Sequence, residues 1–258
     1  MTRSPLRQAL VLISILATLV INALANALPL NGLQTGDISD RFQVYFVPAG
    51  YVFSIWGLIY LGLIAYAIYQ ALPAQRSNSR LAAIDGLVVA GAAANSAWIF
   101  LWHYERFPLT LVAMLVLLAT LIGVYLNLNI RRGQAPAQER WLVHTPFSIY
   151  LGWITVATIA NITSLLDYLN WNGWGIAPET WFLIVLAAAL AIAGLMARSR
   201  GDVAYLLVLV WAFVGIAVKH AGVPLVSATA WIATGAVALL IALILLRGGK
   251  RALPLTPA

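Results

Sequence analysis

The sequence contains no cysteine and very little charge. The absence of cysteine excludes a disulfide framework, a thiol nucleophile, an iron–sulfur cluster and a cysteine-ligated zinc site. Charged residues make up 9% of the chain, against roughly 25% in an average soluble domain. A water-soluble fold would have too few charges to cover its surface, and a disordered chain has the opposite composition. Both classes are therefore excluded.

Hydrophobic residues account for 62% of the 258 positions, which is enough for about eight membrane spans of about 20 residues each. The sequence therefore predicts an all-α polytopic membrane protein with about eight transmembrane helices. Seven spans with a re-entrant segment near Lys219–Pro224 is the alternative. The predicted helices cover residues 7–28, 49–71, 82–103, 108–130, 142–166, 178–196, 203–219 and 225–246.

The distribution of basic residues supports eight spans. With the N-terminus in the cytoplasm and every span crossing, twelve of the 15 Lys and Arg residues lie on the cytoplasmic side, and only Arg41, Arg106 and Lys219 lie outside. This is the bias expected of cytoplasmic loops. We therefore attribute the net charge of +7 to topology in a lipid bilayer, with no nucleic-acid partner. We expect a bacterial cytoplasmic membrane with both termini cytoplasmic.

Ionisable residues are scarce within the predicted spans. Asp85 and His144 lie at helix starts and His103 at a helix end, where such residues are commonly structural. The three histidines lack metal-ligand spacing. We therefore predict no catalytic residue, no metal site and no required cofactor, and the missing mid-membrane carboxylate disfavours coupled ion transport.

The predicted spans contain tryptophans and amides in place of charged residues. Four of the ten tryptophans flank helix ends, as interfacial anchors do: Trp141, Trp171, Trp174 and Trp181. Others fall within spans, with amides at helical spacing. Such residues indicate an aromatic-walled pocket for a flat apolar ligand; plain side-chain packing is the alternative. The candidate ligand-binding residues are Trp56, Asn95, Trp98, Trp102, Trp153, Ala157 and Asn161.

The first connection, Pro29–Pro48, is the longest between predicted spans. It lies above the pocket on the predicted outer side, so we expect residues 29–47 to form a lid. Because this loop supplies no span, shortening it is expected to cost little packing.

Three segments resemble the tryptophan-rich sensory protein (TspO, or translocator protein) family. Residues 46–60 read F-V-P-A-G-Y-V-F-S-I-W-G-L-I-Y and are similar to the family's opening of its second helix, which implies Tyr60 as an eighth ligand-binding residue. Residues 94–102 read A-N-S-A-W-I-F-L-W, with an N-x-x-W pair, and residues 153–161 read W-I-T-V-A-T-I-A-N, with the family's W-x-x-x-A-T-x-x-N spacing. A short turn, Glu105–Pro108, also matches.

The resemblance covers about residues 8–172 and implies a five-helix domain over residues 1–172, followed by a three-helix extension over residues 173–258. It implies binding of tetrapyrroles such as protoporphyrin or haem, with a sensory or transport role. A secondary transporter of a small lipophilic solute and a light-dependent porphyrin-degrading enzyme are the alternatives.

Small residues form a row at i+4 spacing on the third helix. Gly86, Ala90 and Ala94 permit close helix approach. The row predicts packing within the chain, with a homodimer contact as the alternative.

Overall fold

The computed structural model describes residues 3–28 and 30–249, and within these ranges it contains helices and no strand. The predicted fold class is confirmed, and most predicted helix ends shift by a few residues. We number the eight long helices α1 (Pro5–Ala27), α2 (Ile55–Ala71), α3 (Ser79–His103), α4 (Phe107–Asn127), α5 (Thr145–Tyr168), α6 (Pro178–Ser199), α7 (Val203–Lys219) and α8 (Pro224–Gly249).

Local sequence explains where several helices begin. Proline stands at the first position of α1, α6 and α8, where its missing N–H costs nothing. The side chains of Ser4, Asn78 and Asp202 accept backbone N–H groups at the starts of α1, α3 and α7, which satisfies donors that a helix start leaves unpaired. A single π-helical turn, Arg140–His144, leads into α5.

The first five helices form a closed ring. Each contacts two neighbours, in the order α1, α2, α5, α4, α3 and back to α1. The extension attaches through α7, which packs on α5, and α6 and α8 pack on α7 and on each other. Buried residues of both parts belong to one hydrophobic cluster. The predicted domain boundary at residue 172 therefore stays a prediction.

Seven of the helical segments are long and apolar enough to cross a membrane, while α7 has 17 residues. Nevertheless α7 reaches both ends of the bundle. At its start Asp202 accepts hydrogen bonds from Ser148 and Tyr125, and at its end Lys219 pairs with Asp40. The next helix, α8, runs back, because Ile244 approaches Gly201. This course favours eight crossings over a re-entrant segment.

The bundle thus has two distinct ends. We call the end that carries the start of α1 and the end of α8 the terminal end, and the end that carries residues 30–48 the loop end. At the terminal end the buried Arg3 guanidinium donates to both carboxylate oxygens of Asp85, at 2.9 and 2.6 Å. Asp85 therefore has a structural partner, as its position at a helix start predicts.

The small-residue row on α3 does not pack as predicted. Ala94 is buried, but Gly86 and Ala90 are exposed. The close approach is made one position later, at Gly91, where an added Cβ would lie 2.9 Å from the Thr120 hydroxyl. The predicted position of the close contact is thus wrong by one residue, because α4 packs against the neighbouring stripe of α3. The homodimer alternative stays a prediction.

Candidate functional site

A small cavity of about 50 Å³ lies at the loop end. It is bounded by α3, α4 and α5 of the ring, by the start of α2 and by residues from the first connection. The lining is apolar except for hydroxyls and one amide, and it consists of Thr35, Ser39, Val47, Pro48, Phe53, Trp56, Trp98, Trp102, Met114, Trp153, Val156, Ala157, Ala160, Asn161 and Ser164. We call it the tryptophan cavity.

Two indoles on α3 form one wall of the tryptophan cavity. Trp98 and Trp102, one helical turn apart, stack with ring centroids 5.2 Å apart and planes inclined by 18°. The Trp98 Nε1 donates to Asn161 Oδ1 at 3.2 Å, and the Asn161 amide donates to Thr110 Oγ1 at 3.0 Å. The chain of bonds joins α3, α5 and α4, and it fixes the orientation of the buried Asn161 side chain.

Two further indoles, Trp56 and Trp153, complete the indole lining of the cavity. Trp153 on α5 meets Trp56 edge-on at 6.2 Å and Phe53 edge-on at 5.8 Å. Trp153 is 3% exposed, and among the described residues its Nε1 has no acceptor. A buried indole usually finds one. The wall therefore holds a hydrogen-bond donor that the protein leaves unused.

The first connection closes the cavity with a short helix, Thr35–Ser39. The Trp102 Nε1 donates to the Thr35 carbonyl oxygen at 3.2 Å, and the Thr35 hydroxyl lies 3.0 Å from His103 Nε2. Ile38 is fully buried against Trp102 and Phe107. The expectation that this loop contributes little packing is therefore wrong, because it inserts an apolar side chain beside the indole wall.

Polar contacts hold the same connection to its surroundings at the rim. They link it to the turn after α3, the end of α5, the start of α6 and the end of α7. The four rim contacts are Arg41 to Glu105 at 2.8 Å, Gln43 N–H to Asp167 at 3.2 Å, Tyr45 hydroxyl to Glu179 at 2.9 Å and Lys219 to Asp40 at 2.7 Å.

Two titratable groups at the rim are perturbed. The hydrogen bond that Tyr45 donates to Glu179 raises the pKa of the phenol above its ordinary value. Burial, with a contribution from the neighbouring Lys219, lowers the pKa of His220 below its ordinary value. The two rings meet edge-on with centroids 5.3 Å apart. A neutral imidazole is therefore part of the rim at neutral pH.

The structure brings together six of the eight predicted site residues. The residues that line the cavity are Trp56, Trp98, Trp102, Trp153, Ala157 and Asn161.

The other two predicted residues do not line the cavity. The Tyr60 ring stacks on the Trp56 ring, with ring centroids 5.5 Å apart. Asn95 lies behind the wall, where it donates to the Tyr150 hydroxyl at 2.8 Å and accepts from Asn22 at 2.7 Å. Three residues are 300° of helical rotation, so Asn95 faces 60° away from Trp98, between α1 and α5. Both support the wall rather than form it.

Several lining residues were not predicted. Phe53 precedes Trp56 by three residues, and Ala160 and Ser164 follow Ala157 and Asn161 by three residues. Helical spacing alone could therefore have predicted these three residues. The contributions of Thr35 and Ser39 depend on how the first connection folds back, which periodicity does not report.

The tryptophan cavity holds no charged side chain, and no cluster of potential metal ligands occurs among the described residues. Four indoles, one phenyl ring and aliphatic side chains line it, together with one amide and several hydroxyls. Such walls can stack on a planar apolar molecule and direct a few hydrogen bonds to it.

Comparison with known proteins identifies the family. Residues 8–244 match the family model described as TSPO-like protein. No curated protein and no solved structure matches the chain. The resemblance predicted over about residues 8–172 is confirmed, and the match continues through α6 and α7 into α8. Because it spans most of the 258 residues, the protein belongs to the TSPO-like family.

Proposed function

We propose that this protein binds a flat lipophilic ligand in the tryptophan cavity, a tetrapyrrole such as protoporphyrin or haem, with a sensory or transport role. The observation that carries the proposal is the wall of four indoles that contains one unused donor, the Trp153 Nε1. Indole faces favour planar π-systems, and a buried N–H favours a ligand with a hydrogen-bond acceptor. Carboxylate and carbonyl groups on such a ligand supply one.

The cavity must enlarge to admit this ligand. Its volume of about 50 Å³ is well below the roughly 300–1,000 Å³ typical of ligand pockets. The first connection is the movable wall, because contacts between exposed or half-buried groups anchor its rim and, between residues 30 and 45, Ile38 is the one buried apolar side chain. Phe46 and Val47, which are also buried, fix the end of the connection beside α2. Binding therefore couples occupancy to the position of a surface segment, which is the property that a sensor or a gated carrier requires.

The test is a titration of the purified protein with protoporphyrin, in detergent and in lipid, followed by the Soret band. We expect a shift that saturates at micromolar ligand and that disappears in the Trp56→Ala, Trp153→Ala double variant. The control is a double variant of two exposed tryptophans, Trp141→Ala with Trp174→Ala, which should bind normally. An absent shift in both media, or equal loss in both variants, contradicts the proposal.

A second substitution separates stacking from hydrogen bonding. Trp153→Phe keeps an aromatic ring and removes the unused donor. We expect binding to weaken about tenfold, the value of one hydrogen bond to a charged acceptor. A porphyrin whose carboxylates are esterified should bind more weakly to the wild type and lose less in the variant.

A further inference from the structure

A larger cleft lies where the five-helix ring meets the extension. Its volume is about 580 Å³, and it is formed by the second half of α5, the first half of α6 and residues 43–46 of the first connection. It shares no lining residue with the tryptophan cavity. Its size falls within the range of pockets that bind small molecules.

Aromatic side chains gather at this cleft. Trp171 and Trp181, which both line it, lie 5.0 Å apart, and Tyr45 meets Phe182 edge-on at 6.4 Å. Hydrogen bonds hold two of these rings, from the Trp181 Nε1 to Gly173 O and from the Tyr45 hydroxyl to Glu179. The faces of such rings attract organic cations.

The polar part of the cleft is acidic. Asp167, in the last turn of α5, lines it, and the carboxylate accepts one backbone N–H, from Gln43. No Lys, Arg or His lines the cleft, and within the described residues Asp167 makes no ion pair. The last turn of α5 contains no basic residue, so its terminal carbonyl groups add to the negative potential.

The surrounding charges have the same sign. The loop end carries five carboxylates, at Asp37, Asp40, Glu105, Asp167 and Glu179, against the three cations Arg41, Arg106 and Lys219. Two of these cations are already paired, with Glu105 and Asp40. The field at the mouth of the cleft thus favours positively charged molecules.

We propose that this cleft is a second ligand site and that it binds a lipophilic organic cation, an amine or quaternary ammonium group on an aromatic body. The cation lies between Asp167 and the aromatic rings, and the aromatic body lies along the apolar wall of α5 and α6. This site does not depend on tetrapyrrole binding, because its walls are separate from those of the tryptophan cavity.

The test compares two probes of the same shape that differ in charge. One is biphenyl-4-ylmethyl-trimethylammonium, and the other is its uncharged carbon isostere, 4-neopentylbiphenyl. Equilibrium dialysis is carried out with the full chain in phosphatidylcholine nanodiscs, and binding to empty nanodiscs is subtracted. We expect saturable binding of the cation and only unsaturable partitioning of the isostere.

Variants then locate the site. Asp167→Asn retains an acceptor for the Gln43 N–H and should weaken cation binding about tenfold. Glu105→Gln removes one charge from the same end outside the cleft and should change the Kd less than twofold, since a solvent-exposed charge that does not line the cleft is screened. Ala188→Trp, which fills the cleft from α6, should abolish binding while Asp167 remains, so a folding defect in one variant does not decide the outcome.

Four results would overturn the proposal. The first is equal saturable binding of both probes, which would indicate an apolar lipid groove. The second is equal weakening by Asp167→Asn and Glu105→Gln, which would indicate the general field, and the third is binding that survives Ala188→Trp. The fourth is loss of cation binding in the Trp56→Ala, Trp153→Ala variant. It would indicate that the probe binds in the tryptophan cavity and not in a separate site.

Discussion

At the residue scale, the indoles of the tryptophan cavity differ in how their N–H groups are satisfied. Trp98 donates to Asn161 and Trp102 donates to Thr35, whereas Trp153 has no acceptor among the described residues. The first two therefore fix the cavity's shape, since each is bonded to a different element. The third is available to a ligand at the cost of an unsatisfied buried group when the cavity is empty.

Asn161 is the residue that joins three helices at this wall, so its removal should destabilise the ring. Asn161→Ala loses the hydrogen bonds to Trp98 and Thr110. We expect a loss of about 1–3 kcal/mol in the free energy of unfolding, measured by denaturant titration in mixed micelles. The control is Asn127→Ala, whose exposed side chain bonds only to its own helix. Equal stability of the two variants would contradict this role.

His220 should make stability depend on pH. Burial lowers the pKa of His220 in the folded protein, so the unfolded chain binds the proton more readily. The stability that the neutral imidazole contributes is therefore present above the unfolded pKa of about 6.5 and is lost as pH falls below it. We expect the Tm to fall between about pH 7 and pH 5, and to fall less in His220→Gln. Parallel curves for the two proteins would exclude His220 as the cause.

At the element scale, close helix approach attaches the extension to the ring. An added Cβ at Gly152 on α5 would lie 3.0 Å from the Tyr205 carbonyl oxygen and 3.1 Å from Val208 Cβ, both on α7. Asp202 reinforces the contact, because its carboxylate accepts from Ser148 on α5 and from Tyr125 on α4 while it caps α7. The Gly152 contact and the Asp202 cluster therefore both hold the extension, and the Ala49 N–H adds a third link by donating to the Gly215 carbonyl oxygen at 3.1 Å.

Enlarging Gly152 should separate α7 from α5. Gly152→Leu has to displace backbone as well as side-chain atoms, so we expect a loss of about 1–3 kcal/mol in the free energy of unfolding. The matched control is Gly86→Leu, at an exposed helical glycine with no neighbouring atom within 4 Å of an added Cβ, and it should be tolerated. Thermal melts of both variants in the same detergent decide the matter; a tolerated Gly152→Leu would mean that the two helices can slide apart freely.

The first connection acts as a lid if its rim contacts slow ligand release. Arg41→Gln with Lys219→Gln removes two ion pairs, each worth about 0–1 kcal/mol at an exposed site. We expect the dissociation rate of bound protoporphyrin to rise several-fold, with little change in the association rate. Release is measured by stopped-flow after transfer to empty vesicles. Arg132→Gln, at the terminal end, is the control; unchanged release in the double variant would indicate lateral exit between helices.

At the scale of the whole molecule, the two ends differ in charge. Among the described residues, the terminal end carries ten basic residues, with Asp85, Glu139 and Asp202 as its acids, whereas carboxylates outnumber cations at the loop end. This asymmetry predicts the orientation, because basic residues are retained on the cytoplasmic side. It also places the proposed cation site at the end of the bundle where the field attracts cations.

Reporter fusions test the orientation and the number of crossings together. Fusions after Arg76, Arg131 and Arg200 should report cytoplasm, and fusions at Asp37, Glu105 and Gly222 should report the opposite side. A fusion after Ala258 should again report cytoplasm. Cytoplasmic signal at Gly222 with external signal at Ala258 would mean that α7 does not cross, and would restore the seven-span alternative.

Composition and periodicity predicted the fold class, the helices and the four indoles that line the cavity. A long, continuously apolar run that crosses a bilayer forms a helix, because a helix bonds every backbone N–H and C=O within the run itself. Helical spacing then placed Trp153, Ala157 and Asn161 on one stripe, and all three line the tryptophan cavity. These predictions depended only on local periodicity and on the solvent.

The remaining features depend on which helix faces meet, so periodicity did not predict them. The rotation of α3 directed Asn95 toward Asn22 and Tyr150 instead of the cavity, and the fold of the first connection buried Ile38 beside Trp102. The cleft beside Asp167 exists because α6 packs on α7 and α8 and not closely on α5, which leaves a gap between α5 and α6. Periodicity reports how residues of one helix are spaced, whereas a site between helices depends on their relative rotation and separation, which are set by packing across the whole bundle.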